Sequence, residues 1–163
     1  MKNGLKKLLT KIFTFISVNN IKHGNKVICN YYCAFTNNTI LGTNCHFNGI
    51  KISGRGKVHI GNNFHSGKNI RIITTFHNYS GNALPYDNTY IDKDVIIEDN
   101  VWLGESVVVL GGVTIGEGAI IQTGSIVCKD IPALAIAGGH PAVPFKFRDK
   151  DHYYKLKTKE SFY

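Results

Sequence analysis

Cysteine is scarce and poorly spaced for a metal. Cys29, Cys33, Cys45 and Cys128 include no pair at zinc-finger spacing with a matching second pair, which argues against a structural zinc site. No apolar run approaches the length of a membrane span. A secretory leader is not expected either: residues 2–11 are basic, but the apolar run Ile12–Val18 is short and no small-residue cleavage site follows it. Free thiols in a reducing cytoplasm are therefore expected. No G-x-S-x-G nucleophile elbow occurs, so an acyl-enzyme on serine is disfavoured. Prolines number only four against seventeen glycines scattered among Ile and Val, which points to many tight turns between short strands.

At 163 residues the chain can bury one substantial core, and its 43% hydrophobic content is ordinary for a globular protein. The formal charge is +8, with lysines gathered at the two ends: Lys2, Lys6, Lys7 and Lys11, then Lys146, Lys150, Lys155, Lys157 and Lys159. A nucleic-acid groove more often sets basic residues among exposed aromatics on the main body, so nucleic acid is not an expected partner.

A six-residue period then decides the fold class. Cut from Ile91, the first positions are Ile91, Ile97, Leu103, Val109, Ile115, Ile121 and Val127, all branched aliphatics. The fifth positions are Val95, Val101, Val107, Val113, Ala119, Ser125 and Ile131, mostly small or β-branched. Six fits neither the helical period nor simple strand alternation. It fits a chain that runs straight, bends and repeats, three sides closing a coil of about eighteen residues. A β-sandwich would space its strands more widely and less evenly. The period continues upstream through Cys29, Phe35, Leu41 and Phe47, then Ile60, Ser66 and Ile72, with a one-residue shift at Ser53–Lys57. Cys29, Cys33 and Cys45 fall on inward places and read as small core fillers.

The expected fold is thus an all-β parallel β-helix of hexapeptide repeats over residues 27–144, within a single domain spanning 1–163. Residues 1–19 are expected to form an amphipathic helix, with Leu5, Leu8, Leu9, Ile12, Phe13 and Ile16 at helical spacing. Either this face packs on the coil, or residues 2–16 touch an anionic membrane surface. Residues 145–163 are expected to be a C-terminal helix or tail. Residues 78–90, rich in Gly, Pro, Asn and Asp, read as a loop leaving the coil, a common seat of function.

His77 stands where the coil ends and that loop begins, behind Thr74, Thr75 and Phe76. Histidine suits removal of a proton from a hydroxyl near neutral pH. Tyr86 and Asp87, in the loop, are candidate acceptor contacts. His59 lies eighteen residues before His77, one coil beneath it if nothing intervenes, and a histidine trio would make a metal site. One stacked pair is not enough for that, and no metal is expected.

Asp99–Pro132, with Ala137–Ala142 (AGGHPA) after it, resembles the hexapeptide-repeat acyltransferases. The similarity is greatest to galactoside and maltose O-acetyltransferases and to relatives that acetylate bacterial surface polysaccharides. It covers roughly residues 40–150, on motifs such as NVW-L-G and GSIV-x-KDIP. The resemblance implies a left-handed coil, a homotrimer with sites between subunits, acetyl-CoA as co-substrate, and a saccharide acceptor. It implies that His77, in TTFH, is the catalytic base. An asparagine on an earlier coil would hold the acceptor: hexad register puts Asn48 there, a gap-free count His46. Backbone of Glu105 and Thr123, with Cys128, Lys129 and Lys146, would hold acetyl-CoA, the lysines by attracting phosphate. Val143 replaces the family's usual arginine after G-x-P. Trp102, outward by register, either walls the pantetheine channel or packs on a neighbour. The competing readings are an antibiotic acetyltransferase of the streptogramin or xenobiotic type, a sugar N-acetyltransferase, and a β-helix binding or structural protein.

Overall fold

The computed structural model describes residues 2–163, with side chains from Gly4 onward; Met1 and the side chains of Lys2 and Asn3 lie outside the described residues. The chain winds into a three-sided parallel β-helix. The first sheet stacks Lys22–His23, Thr39–Leu41, Val58–Ile60, Val95–Ile97 and Thr114–Ile115. The second stacks Ile28–Cys29, His46–Phe47, His65–Ser66, Trp102–Leu103, Ile120–Ile121 and Ala135–Gly139, with Ala142–Phe147 returning antiparallel beside the last. The third stacks Ile50–Ser53, Ile70–Ile73, Val108–Leu110 and Ile126–Val127.

The hexads account for this shape. First-position Ile97, Leu103, Val109, Ile115, Ile121 and Val127 are all 0% exposed. Their side chains fill the prism axis, each contributing about 2 kcal/mol of burial. The fifth-position residues from Val95 to Ile131 are buried as well, and so are Cys29, Cys33 and Cys45. Register confirms the period: Leu103 stands opposite Ile121, and Val109 opposite Val127, each eighteen residues on.

Four expectations need correction. Ile91 opens the hexad count but is only half-buried, because it lies outside the coil in a hairpin, opposite Phe76. Ile131 stands opposite Ile115, sixteen residues away rather than eighteen, so the last turn is short and Ile131 joins the first-position column. Ile52, not Ser53, takes the inward place opposite Ile72. The corner at Gly49 is therefore one residue short and the bend through Ser53–Lys57 two residues long, with Gly49 and Gly54 at φ 106° and 105°. Finally, the coil starts at Lys22 rather than residue 27 and its parallel strands end at Gly139.

Asparagine lines the corner between the first and second sheets. Asn44, Asn63 and Asn100 hold left-handed φ of 59°, 54° and 60°, which asparagine tolerates. Their side chains form a ladder, Asn44 Nδ2 donating to Asn63 Oδ1 at 2.9 Å and Asn63 Nδ2 to Asn100 Oδ1 at 3.0 Å. Helix α2, Lys150–Thr158, closes over the ladder. Tyr153 is buried there; its hydroxyl donates to Glu117 Oε1 at 2.8 Å and accepts from Asn100 Nδ2 at 2.9 Å. Lys157 Nζ sits 2.6 Å from the same Glu117 oxygen.

Helix α1, Lys2–Val18, covers the first coil, whose backbone N–H groups have no coil beneath them. Cys29 N donates to Thr14 Oγ1 at 2.9 Å and Cys33 N to Ser17 Oγ at 3.0 Å. Val18 and Phe13 join the core. Of the apolar face read from the sequence, only Phe13 packs in this way; Leu5, Leu8, Leu9, Ile12 and Ile16 are exposed. Among the described residues no helix is long and apolar enough to cross a membrane.

Candidate active site

An arm leaves the prism at the corner between the third and first sheets. Val109 pairs with Ile72, thirty-seven residues back, so the arm inserts nineteen residues into one eighteen-residue turn. Its two ends are fastened to the coil: Thr74 is buried, its Oγ1 donates to Ser53 O at 3.1 Å, and Lys93 N donates to Thr74 O at 2.8 Å. Gly56 is required beside this junction, since a Cβ there would lie 2.4 Å from Lys93 O. The arm is a hairpin of Thr75–His77 with Tyr90–Asp92, and Tyr90 stands opposite His77.

His77 is exposed, at the far end of its strand. Tyr86 folds back from the loop and stacks on the imidazole at 3.8 Å between centroids and 18° between planes. Tyr90 lies against it at 4.9 Å and 37°. The rings fix the imidazole plane and leave its nitrogen-bearing edge free of the stack. Arg55 anchors the base of the hairpin: its Nε is 3.0 Å from Asp92 Oδ2, its guanidinium lies 5.0 Å over the Tyr90 ring, and its N–H donates to Thr75 Oγ1 at 2.8 Å. Thr75 Oγ1 donates in turn to Asp92. The hydroxyl of Thr75 and then Arg55 hold the Asp92 carboxyl below the usual carboxylate range. By sequence Ser53–Lys57 reads only as a bend, and Arg55, Tyr90 and Asp92 do not stand out. An arginine in a glycine-flanked bend (SGRGK) was the available signal.

Asp87 has a structural role. Its carboxylate accepts from Asn82 N at 3.0 Å and Thr89 N at 2.9 Å, closing the loop on itself. Asn48 is remote from His77. It sits at the corner between the second and third sheets, where Nδ2 donates to Ser66 O at 2.7 Å and Oδ1 accepts from Asn30 Nδ2 at 2.9 Å. The whole third-sheet strand Ile50–Ser53 separates it from the arm's edge, about 13 Å at strand rise.

The other candidates divide between two edges. Trp102 points outward from the second sheet, over His65 and under Ile120, and lines a cleft of about 470 Å³ with Gln122 and Thr123. Glu105 follows at the corner between the second and third sheets, its carbonyl accepting from Gly124 N at 2.8 Å. Gly67 and Gly104 let the stacked corners touch: a Cβ would meet Glu105 N and Thr123 N at 2.5 Å. Lys146 lies on the returning strand opposite Ile136. Cys128 and Lys129 are exposed on the opposite edge, at the short corner between Val127 and Ile131. That edge is the one from which the His77 arm projects.

His59 does not lie beneath His77. It pairs with Ile96 and Ile40 on the first sheet, because the nineteen-residue insertion carries His77 off the coil. The stacked histidines are instead His46 and His65, with centroids 4.5 Å apart and planes at 16°. Burial lowers the pKa of both, and the neighbouring imidazole adds to this at His65. His65 borders a cleft of about 540 Å³ between the second sheet and the C-terminal segment, lined by Asn63, Asn100, Trp102, Arg148 and Tyr163 among others. Among the described residues no group of three or more His, Cys, Asp or Glu side chains could hold a metal ion.

Residues 94–129 match the family described as bacterial transferase hexapeptide, six repeats. That stretch of the coil carries the transferase hexapeptide repeat. Among solved structures, a maltose O-acetyltransferase from Clostridium difficile 630 is similar over 90% of this chain and 86% of its own, at 26% identity and a TM-score of 0.72. A galactoside acetyltransferase in complex with coenzyme A is similar over 81% of this chain and 67% of its own, at 25% identity and a TM-score of 0.64. An N-acyltransferase from Bacillus cereus, in complex with dTDP and 3-hydroxybutyryl-CoA, shares the fold over 88% of this chain and 80% of its own, at 20% identity and a TM-score of 0.75. No curated protein matches the sequence significantly. The expected resemblance to hexapeptide-repeat acetyltransferases, including maltose and galactoside enzymes, is borne out.

Proposed function

We propose that the chain is an acetyl-CoA-dependent acetyltransferase of the hexapeptide-repeat type, with a saccharide hydroxyl as acceptor and His77 as general base. The observation that carries this reading is the placement of His77. One imidazole is held by Tyr86 and Tyr90 on a hairpin arm, beside the edge that carries Cys128 and Lys129. The similarity to acetyltransferases, one of them with coenzyme A bound, supplies the acyl donor.

The step needs no covalent enzyme intermediate. The neutral imidazole takes the proton of the acceptor hydroxyl as its oxygen attacks the thioester carbonyl, giving a tetrahedral oxyanion. Collapse breaks the carbon–sulfur bond, and the leaving thiolate receives the proton from the imidazolium. The product is the acetyl ester and free CoA. Tyr86 is the acceptor contact favoured by its position on the imidazole. Asp87 serves by shaping the loop, and Asn48 by bordering a site from a neighbouring copy.

We place the site between copies of the chain, in a homotrimer. Trp102, Glu105, Thr123 and Lys146 border one edge of the prism, and His77, Cys128 and Lys129 the other, so one copy offers two half-grooves. Packing the edge of one copy against the other edge of the next would join them, with Lys129 and Lys146 neutralising CoA phosphates. All four cysteines are unpaired, in keeping with the reducing cytoplasm where acetyl-CoA is available. Units of bacterial surface polysaccharide are the acceptor class this reading favours.

The test is CoA release, followed with a thiol reagent, during incubation with acetyl-CoA and a panel of sugars, amino sugars and nucleotide sugars. Acceptor-dependent release with neutral sugars supports the reading. Release only with amino sugars would move the acceptor to nitrogen, and failure to bind CoA by calorimetry would leave a binding or structural β-helix.

A further inference from the structure

The apolar stripe of α1 faces away from the coil. Thr10, Phe13, Thr14, Ser17 and Val18 form the side that meets the prism. On the opposite side, at helical spacing, Leu5 is 61%, Leu8 55%, Ile12 45%, Phe15 69% and Ile16 49% exposed. Contiguous exposed apolar surface of this kind marks a contact with something else. Lys11 borders the stripe beside Phe15, and Lys6 and Lys7 are exposed on the flanks of the helix nearer the coil. The helix contains no acidic residue.

The charge of the surrounding body points the same way. Residues 1–86 contain eleven Lys and Arg and no Asp or Glu, whereas residues 87–163 contain eight and eleven. The coils stack in chain order, so this division runs along the prism and its α1 end is the basic one. A second copy presenting the same stripe would oppose lysine to lysine. An anionic surface satisfies both features, taking the apolar side chains into its boundary and attracting the lysines at its rim.

We infer that α1 is an interfacial helix that docks the α1 end of the protein on the surface of an anionic lipid bilayer, without crossing it. Leu8, Ile12 and Phe15 enter the headgroup–acyl boundary while Lys11 remains at headgroup level and Lys6 and Lys7 add positive charge close to it. The arm bearing His77 leaves the prism after Ile73, two turns beyond the turn that α1 covers. This inference is independent of the acyl-transfer reading.

The test is co-sedimentation of the full chain with unilamellar vesicles of phosphatidylcholine containing phosphatidylglycerol, and with vesicles of phosphatidylcholine alone. Binding to the anionic vesicles, weakened by salt and absent from the neutral ones, is expected. Lys7→Glu with Lys11→Glu should weaken it by at least about tenfold, and Leu8→Ser with Phe15→Ser should abolish it. Circular dichroism and unfolding temperature check that both variants remain folded; should the serine variant unfold, Phe15→Ser alone replaces it. No binding by the unmodified chain, or equal binding by the charge variant, would overturn the inference. So would a fall in the native mass of the serine variant by light scattering, which would make the stripe a contact between copies.

Discussion

At the scale of single residues, chemistry is concentrated in few side chains. Lys129, a proposed contact for CoA phosphate, is exposed on the short corner beside the His77 arm. Lys129→Ala should weaken CoA binding by about tenfold or more, the loss of one charged hydrogen bond, measured by calorimetry; an unchanged affinity would remove it from the groove. Thiol chemistry separates the cysteines equally clearly. Cys29, Cys33 and Cys45 are buried and Cys128 is exposed. Burial pushes the Cys45 thiol up to about 11, well away from the reactive thiolate form. A disulfide reagent should therefore label one thiol rapidly in the native protein and all four only after denaturation. Rapid labelling of more than one would mean the base of the coil opens readily.

At the scale of elements, the repeat was legible and its interruptions were not. Aliphatics at every sixth position named the inward column from Ile97 to Val127, because inward packing leaves no other choice at those sites. The place of the arm was equally visible, from the missing aliphatics after His77. Its interior was not, since the hairpin is held by Arg55, Asp92 and Tyr90, groups distant in sequence that carry no local period. The asparagine ladder escaped for a similar reason: its rungs are nineteen and thirty-seven residues apart, spacings created by the inserted residues themselves. Helix α1 misled because amphipathicity gives a stripe but not its direction, and hydroxyls of Thr14 and Ser17 took the coil side. The stacked His46–His65 pair gives a pH test of the second sheet. Folding lowers both pKa values, chiefly by burial, so the unfolded chain binds more protons just below the ordinary histidine value. Their contribution is complete above about pH 6.5 and falls away as pH drops through the lowered folded values. Unfolding temperature should decline over that interval, and less steeply in His65→Asn; identical slopes would show that the pair has no such role.

At the scale of the molecule, the prism is a rigid frame whose edges carry the working groups. The proposed cofactor contacts lie on edges separated by the third sheet, and in the proposed homotrimer a neighbouring copy completes the groove. Ile40 and Ile96, outward on the first sheet and each 44% exposed, offer apolar surface for such packing. Light scattering should give a mass three times that of the 18.1 kDa chain; an active monomer would contradict a shared groove. The most direct measurement of the whole account is the acceptor-dependent turnover of His77→Ala alongside its CoA affinity. Turnover should fall by roughly 10²–10⁴-fold with CoA binding and unfolding temperature unchanged, as expected for loss of a general base. Turnover equal to that of the unmodified chain would contradict it.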